Sequence, residues 1–212
     1  LLNLVKYADE LGMIETKQGQ GEYAGLNIIN YSRTTDASGL LEKLPTLRHF
    51  RGLIIDSSGN VVARPFEKTH KAGVEISLEE LNIVPEKVFE KANGSMGITY
   101  FWNGKWRVST KFSFENDAFT KPAQELLDKM NQEKMDPSKT YLFEIILPNE
   151  AHVVDYGNES SLILLNAVDK ESGAPDEWSA VVVAAAAMGT RTAVDFTEKF
   201  KGMTIAQIYE FA

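Results

Sequence analysis

The sequence predicts an α+β fold in which antiparallel sheets are flanked by helices. Three observations carry this. β-branched runs are joined by turn residues at two places, further apolar runs of strand length follow residue 140, and apolar positions recur at helical spacing at both ends of the chain and once between. A length of 212 residues holds one large domain or two small ones.

Leu1 to Met13 sets Leu1, Leu4, Val5, Ala8 and Leu11 on one stripe, with Gly12 placed to end a helix. Gly19 to Asn30 reads as a turn followed by a strand. Arg51 to Asp56 and Val61 to Phe66 are two β-branched runs joined by Ser57-Ser58-Gly59-Asn60, a hairpin. A second hairpin spans Gly97 to Thr110 around Asn103-Gly104, a pair that supplies the positive φ angles of a tight primed turn. Asp117 to Met130 returns to helical spacing, with Pro122 tolerable in a first turn. Tyr141 to Leu147, Ala151 to Asp155 and Ser161 to Val168 read as three more strands, and Glu177 to Met188 and Thr204 to Phe211 as helices. No internal repeat is visible.

Composition narrows the function. The chain is 43% apolar and 25% charged, the proportions of a globular protein. No run approaches the ~18 apolar residues that cross a bilayer. Charge within Leu1 to Glu10 stands where a secretory signal is apolar, so no membrane partner is expected. With no cysteine, disulfide scaffolds, thiolate zinc sites and cysteine nucleophiles are excluded, and an intracellular location fits. His49, His70 and His152 have no metal-ligand spacing. A net charge of −8, from 22 basic and 30 acidic residues, argues against a protein that coats nucleic acid by charge alone, but leaves room for a local basic pocket. The first residue is Leu rather than Met, which reads as a fragment of a longer chain.

Lys91-Ala92-Asn93-Gly94-Ser95 taken alone is a surface turn. Its neighbours change the reading: Arg51-Gly52 opens the first hairpin, Ala63-Arg64-Pro65-Phe66-Glu67-Lys68 closes it, Ser109-Thr110-Lys111 closes the second, Phe143-Glu144 sits within a later strand, and Leu162 to Asn166 follows. In this order the blocks resemble the adenylyltransferase domain of ATP-dependent RNA ligases, in particular the bacteriophage T4 RNA ligase 1-like family of the covalent nucleotidyltransferase superfamily, with fungal tRNA ligases as more distant relatives. The resemblance is strong from about Arg51 to about Val168 and weak at both ends.

The resemblance implies a nucleotidyltransferase (ATP-grasp-like ligase) fold and a three-step reaction. Lys91 takes AMP from ATP as a lysyl-AMP phosphoramidate, the AMP passes to an RNA 5′-phosphate, and a 3′-hydroxyl displaces it. ATP and Mg²⁺ are the implied cofactors, RNA ends the implied partners, and the cytoplasm (the host's, for a phage enzyme) the implied location. Lysine chemistry agrees with these residue types. Free lysine has a pKa of ~10.4, so only about 4 in 10,000 are neutral at pH 7, a penalty of roughly 4.6 kcal/mol. Arg51, Lys68 and Lys111 would reduce that penalty and neutralise the triphosphate. Glu144 matches the residue that holds the ribose hydroxyls, Asn93 and Gly94 form the turn against the nucleotide, and His70 falls where an aromatic residue stacks on adenine. Arg64 reads equally well as a structural partner of Asp56 or Glu67.

Two departures stand out. Relatives carry Asp two positions after the nucleophile where this chain has Asn93, which keeps the hydrogen-bonding role and loses the charge. The Glu-Gly and Lys-x-Lys strands that complete the family's phosphate pocket are missing; Glu198-Lys199-Phe200-Lys201 lacks the preceding Glu-Gly. The expectation is that 1–212 is an N-terminal adenylyltransferase domain, incomplete at its C-terminal end and without the C-terminal domain that selects substrate, so that the fragment would bind ATP weakly and could be inactive alone. The alternatives are a noncatalytic nucleotide- or RNA-binding module, or a related DNA ligase or capping nucleotidyltransferase, since one scaffold serves several chemistries.

Overall fold

The computed structural model describes all residues except 78, 117, 149–153, 155 and 212. The chain divides into two compact units, Leu1–Glu67 with Asn93–Thr192, and Lys68–Ala92 with Ala193–Ala212.

The first unit opens with α1 (Leu2–Glu10), which ends where Gly12 turns at φ 66°. Then come β1 (Ile14–Gln18), a 3₁₀ turn at Gly21–Tyr23 and β2 (Leu26–Tyr31). α2 (Arg33–Ala37) begins at Ser32, whose hydroxyl accepts the Thr35 N–H and so satisfies an otherwise orphaned donor. α3 (Leu40–Lys43) and a 3₁₀ turn at Pro45–His49 lead to β3 (Arg51–Asp56) and β4 (Val61–Ala63). The Asp56 carboxylate closes their turn by accepting the Ser58 and Asn60 N–H groups at 2.8 and 2.9 Å. The expected strand over 61–66 ends at Ala63, because proline at 65 has no N–H to give a ladder.

After residue 92 the unit resumes with β5 (Ser95–Trp102) and β6 (Lys105–Thr110), joined through Asn103 and Gly104 at φ 51° and 75°, the primed turn the sequence predicts. α4 (Thr120–Leu127), β7 (Lys139–Ile146), β8 (Ser161–Asp169), α5 (Trp178–Met188) and β9 (Arg191–Thr192) complete it. The expected strand over 151–155 lies, apart from Val154, outside the described residues.

Two sheets result, in the orders β1-β2-β3-β4 and β6-β5-β7-β8-β9, antiparallel except for the β8–β9 pair. Their buried side chains show how they pack. Ile28, Ile54, Ile98, Tyr100 and Leu142 form one cluster that joins the facing sides of the two sheets. On the outer side of the first sheet, Leu53 and Ile55 meet Val5 and Ala8 of α1. On the outer side of the second, Tyr141, Phe143 and Ile145 meet Ala123 and Leu127 of α4 and Val181, Ala185 and Met188 of α5. Central strands such as β3 are therefore buried on both faces, and their sequences lose polar alternation.

In the second unit, residues 83–90 run against 194–205. Phe89 bridges Asp195, the Glu90 N–H donates to the Val194 carbonyl at 2.8 Å, and the Ile205 N–H to that of Ile83 at 2.9 Å. The unit ends in α6 (Ile205–Phe211). Lys199 lies 5.5, 5.0 and 5.2 Å from the ring centres of Phe196, Phe200 and Phe211. Among the described residues no helix is long and apolar enough to cross a membrane.

Candidate active site

β7 supplies a carboxylate by simple alternation. Phe143 and Ile145 point into the helix-covered core, which leaves half-buried Glu144 on the side of Leu142, facing the first sheet. Its Oε1 accepts the Gly94 N–H at 2.8 Å. Residue 94 must be glycine here, because a Cβ would sit 2.2 Å from the Ile145 carbonyl oxygen. One residue earlier, the Asn93 N–H donates to the Tyr156 hydroxyl at 3.1 Å. Two consecutive amides are thus held by side chains from distant parts of the chain.

Arg51 begins β3, and its Nη1 lies 3.9 Å from the Met96 sulfur; Met96 stands opposite Glu144 in the β5–β7 register. Gly52, at φ 93°, allows a close approach of the next layer: a Cβ there would lie 2.8 Å from Ile98 Cδ1 and 3.2 Å from Lys111 Cα. Lys111 follows the end of β6, and Asn30 donates to its carbonyl at 2.9 Å. The Lys111 ammonium lies 4.9 Å from the Tyr31 ring centre and 4.8 Å from that of Phe112. The first unit therefore brings Arg51, Asn93, Gly94, Lys111 and Glu144 to the same end of its two sheets, where β3 and β5 start and β6 ends.

The second unit holds Lys68, His70 and Lys91. Lys68 donates to Glu75 Oε1 at 3.1 Å, His70 Nδ1 lies 3.6 Å from Glu75 Oε2, and the Lys71 N–H donates to the same carboxylate at 3.2 Å. The ammonium of Lys68 is the leading reason that the Glu75 carboxyl stays below the usual carboxylate range. Lys91 is exposed and follows the paired segment 83–90; Ala92 after it is 4% exposed, and the chain then passes into Asn93-Gly94 of the first unit.

Arg64 has neither of its expected acidic partners. Its Nε donates to the Lys170 carbonyl at 2.7 Å and an Nη to that of Glu171 at 3.1 Å, so it fastens the loop after β8. Composition could not show this, since the acceptors are backbone atoms more than a hundred residues away. Tyr156, whose hydroxyl holds the Asn93 N–H, stands outside every block that the sequence singles out. Tyr156 carries only the weak signal of an aromatic beside a Gly-Asn turn. His49 lies in the 3₁₀ turn before β3, and His152 outside the described residues. No group of three or more His, Asp or Glu side chains placed to hold a metal occurs among the described residues.

Comparison with known proteins adds an independent line. A family model described as RNA ligase matches residues 49–212. A search of curated proteins gave no match. Two forms of an archaeal ATP-dependent RNA ligase superpose with a TM-score of 0.63, at 18% and 17% identity, over 92% of this chain and 49% of theirs. A protein provisionally named an ATP-dependent DNA ligase, from Aquifex aeolicus, superposes with a TM-score of 0.59 at 14% identity, over 92% of this chain and 50% of its own. At such identities the likeness establishes the fold, which is the expected α+β arrangement of the nucleotidyltransferase ligases. The chain spans about half the length of these structures.

Proposed function

The chain belongs to the RNA ligase family, and from that premise we propose that it carries out ATP-dependent adenylyl transfer through a lysyl-AMP intermediate on Lys91, in the service of joining a 5′-phosphate to a 3′-hydroxyl of single-stranded RNA in the cytoplasm. The observation that carries this reading is the pair of hydrogen bonds on Asn93 and Gly94, two and three positions after Lys91, made by Tyr156 and by the β7 carboxylate Glu144.

In the proposed reaction the neutral Nζ of Lys91 attacks the α-phosphorus of ATP. The N–P bond forms as the P–O bond to pyrophosphate breaks, and the amine gives up its proton. An oxygen of the RNA 5′-phosphate then takes the adenylyl group from Lys91, and the 3′-hydroxyl of a second end displaces AMP. Arg51, Lys68 and Lys111 carry positive charge that would offset the phosphates. Glu144, whose Oε1 accepts the Gly94 N–H, is the carboxylate we assign to the ribose hydroxyls. Asn93 and Gly94 lie against the nucleotide, and His70 against the adenine. Magnesium, brought in on the nucleotide's own phosphates, would neutralise the leaving pyrophosphate.

The test is incubation with ATP labelled at its α-phosphate, with magnesium. We expect label that survives denaturation and alkali and is released by hot acid, as a phosphoramidate is, and that is absent from Lys91→Ala. No label on the wild type points to a noncatalytic module, label from GTP in place of ATP to a capping enzyme, and transfer to DNA ends alone to a DNA ligase; each rejects the proposal.

A further inference from the structure

Phe112 is a large apolar ring left 59% exposed at the end of β6, beside the cations of the first unit. Its backbone is held on both sides: the Thr110 N–H donates to the Ser113 carbonyl at 3.0 Å, the Asn30 amide to the Lys111 carbonyl at 2.9 Å, and the Ser113 hydroxyl to the Glu115 carbonyl at 2.6 Å. A ring on a closed, pinned turn costs little entropy when something settles on it. The Lys111 ammonium lies 4.8 Å from its centre, and Tyr31 holds the same ammonium at 4.9 Å. Lys17 on β1, exposed to solvent, reaches the Ser113 hydroxyl at 3.5 Å. In a chain of net charge −8, two lysines and two aromatic rings thus meet within one short stretch of surface, next to Arg51-Gly52.

That combination matches single-stranded nucleic acid in particular. Every base offers a π-face to an aromatic ring whatever its identity, and every linkage carries a phosphate that a lysine can neutralise. We propose that Phe112 is a stacking platform for a base of the RNA strand, with Lys111 and Lys17 on the phosphates flanking that base. The proposal rests on the ligase reading above and names the strand-holding part of the same site. It makes the surface tolerant of base sequence, because stacking and charge carry no hydrogen-bond code.

The experiment is fluorescence anisotropy of the whole chain with a 5′-phosphorylated oligoadenylate, over a series of salt concentrations. Phe112→Ala is expected to weaken binding about tenfold, the scale of one base stacked on an aromatic ring. Phe112→Leu is weakened likewise, whereas Phe112→Tyr binds like the wild type; the two match Phe112 in bulk and separate stacking from folding. Lys17→Ala weakens binding and flattens the salt slope by about 0.7, one phosphate contact on a single strand. Wild-type affinity in Phe112→Ala, or no binding by the wild type, overturns the proposal; the first result also leaves the ring free for a protein partner. Label uptake from ATP is measured alongside. Label with no effect of Phe112→Ala rejects the platform and keeps the ligase reading, and a Phe112-dependent affinity without label does the reverse.

Discussion

In the first unit, Phe143, Ile145, Leu142, Ile54 and Ile28 are all at most 1% exposed, and three apolar clusters fill the space between sheets and under helices. In the second, Leu81, Ala92 and Ala193 are the buried apolar side chains among the described residues. Its order comes instead from backbone pairing, from a carboxylate that gathers Lys68 and His70, and from Lys199 among three phenylalanines. The proposed nucleophile and two of its basic or aromatic helpers lie in this lightly packed unit; the carboxylate Glu144 and the glycine bonded to it lie in the densely packed one. Glu144 stands on a strand of the densely packed unit, whereas the proposed nucleophile is carried by the unit with few buried apolar side chains.

The comparison breaks first at the dense core. Phe143→Ala removes a ring that is 0% exposed and should cost about 3–5 kcal/mol in urea unfolding. A loss under about 1 kcal/mol would mean that the first unit is not held by its packing. Gly94→Ala sets a Cβ against a backbone oxygen that cannot swing aside. About 1–3 kcal/mol of stability and roughly a hundredfold in the rate of lysine labelling are expected to go, read from urea titration and label uptake. Tyr156→Phe takes away the acceptor of the Asn93 N–H. Some 0.5–1.5 kcal/mol is expected to be lost, together with slower labelling at an almost unchanged KM for ATP.

The smallest effect sharpens the contrast. The Glu75 carboxyl is depressed from its ordinary value of 4.5 by its bond to Lys68. A depressed folded value means that its contribution is present above about pH 4.5 and is lost as pH falls through the lowered value. Wild type and Glu75→Gln should therefore differ slightly but constantly in melting temperature at neutral pH and converge in acid. A gap that stays constant from neutral pH into strong acid would contradict the assignment.

Local physics made much of this molecule legible. Asn103-Gly104 announced its turn, and the helices at 2–10 and 120–127 followed apolar spacing. What stayed hidden was nonlocal or weakly patterned. β1 has one buried residue in five because it is an edge strand, and β9 is two residues long and exists through its pairing with β8. Glu144, Lys111 and Arg51 were picked out through resemblance to a family. The Gly94–Glu144 bond, 50 positions apart, and the Tyr156–Asn93 bond, 63 apart, come from strand order, which no short window of sequence encodes.

The pairing of 88–90 with 194–197 joins stretches more than a hundred positions apart. During synthesis the flank of Lys91 emerges from the ribosome early and waits while β5 through β9 are made. A chain interrupted at 192 would own every strand of both sheets and would lack Val194, Phe196 and Thr197, which hydrogen-bond Glu90 and Val88. Truncated translation products of this kind would carry both sheets complete and the flank of Lys91, the proposed nucleophile, without these bonds.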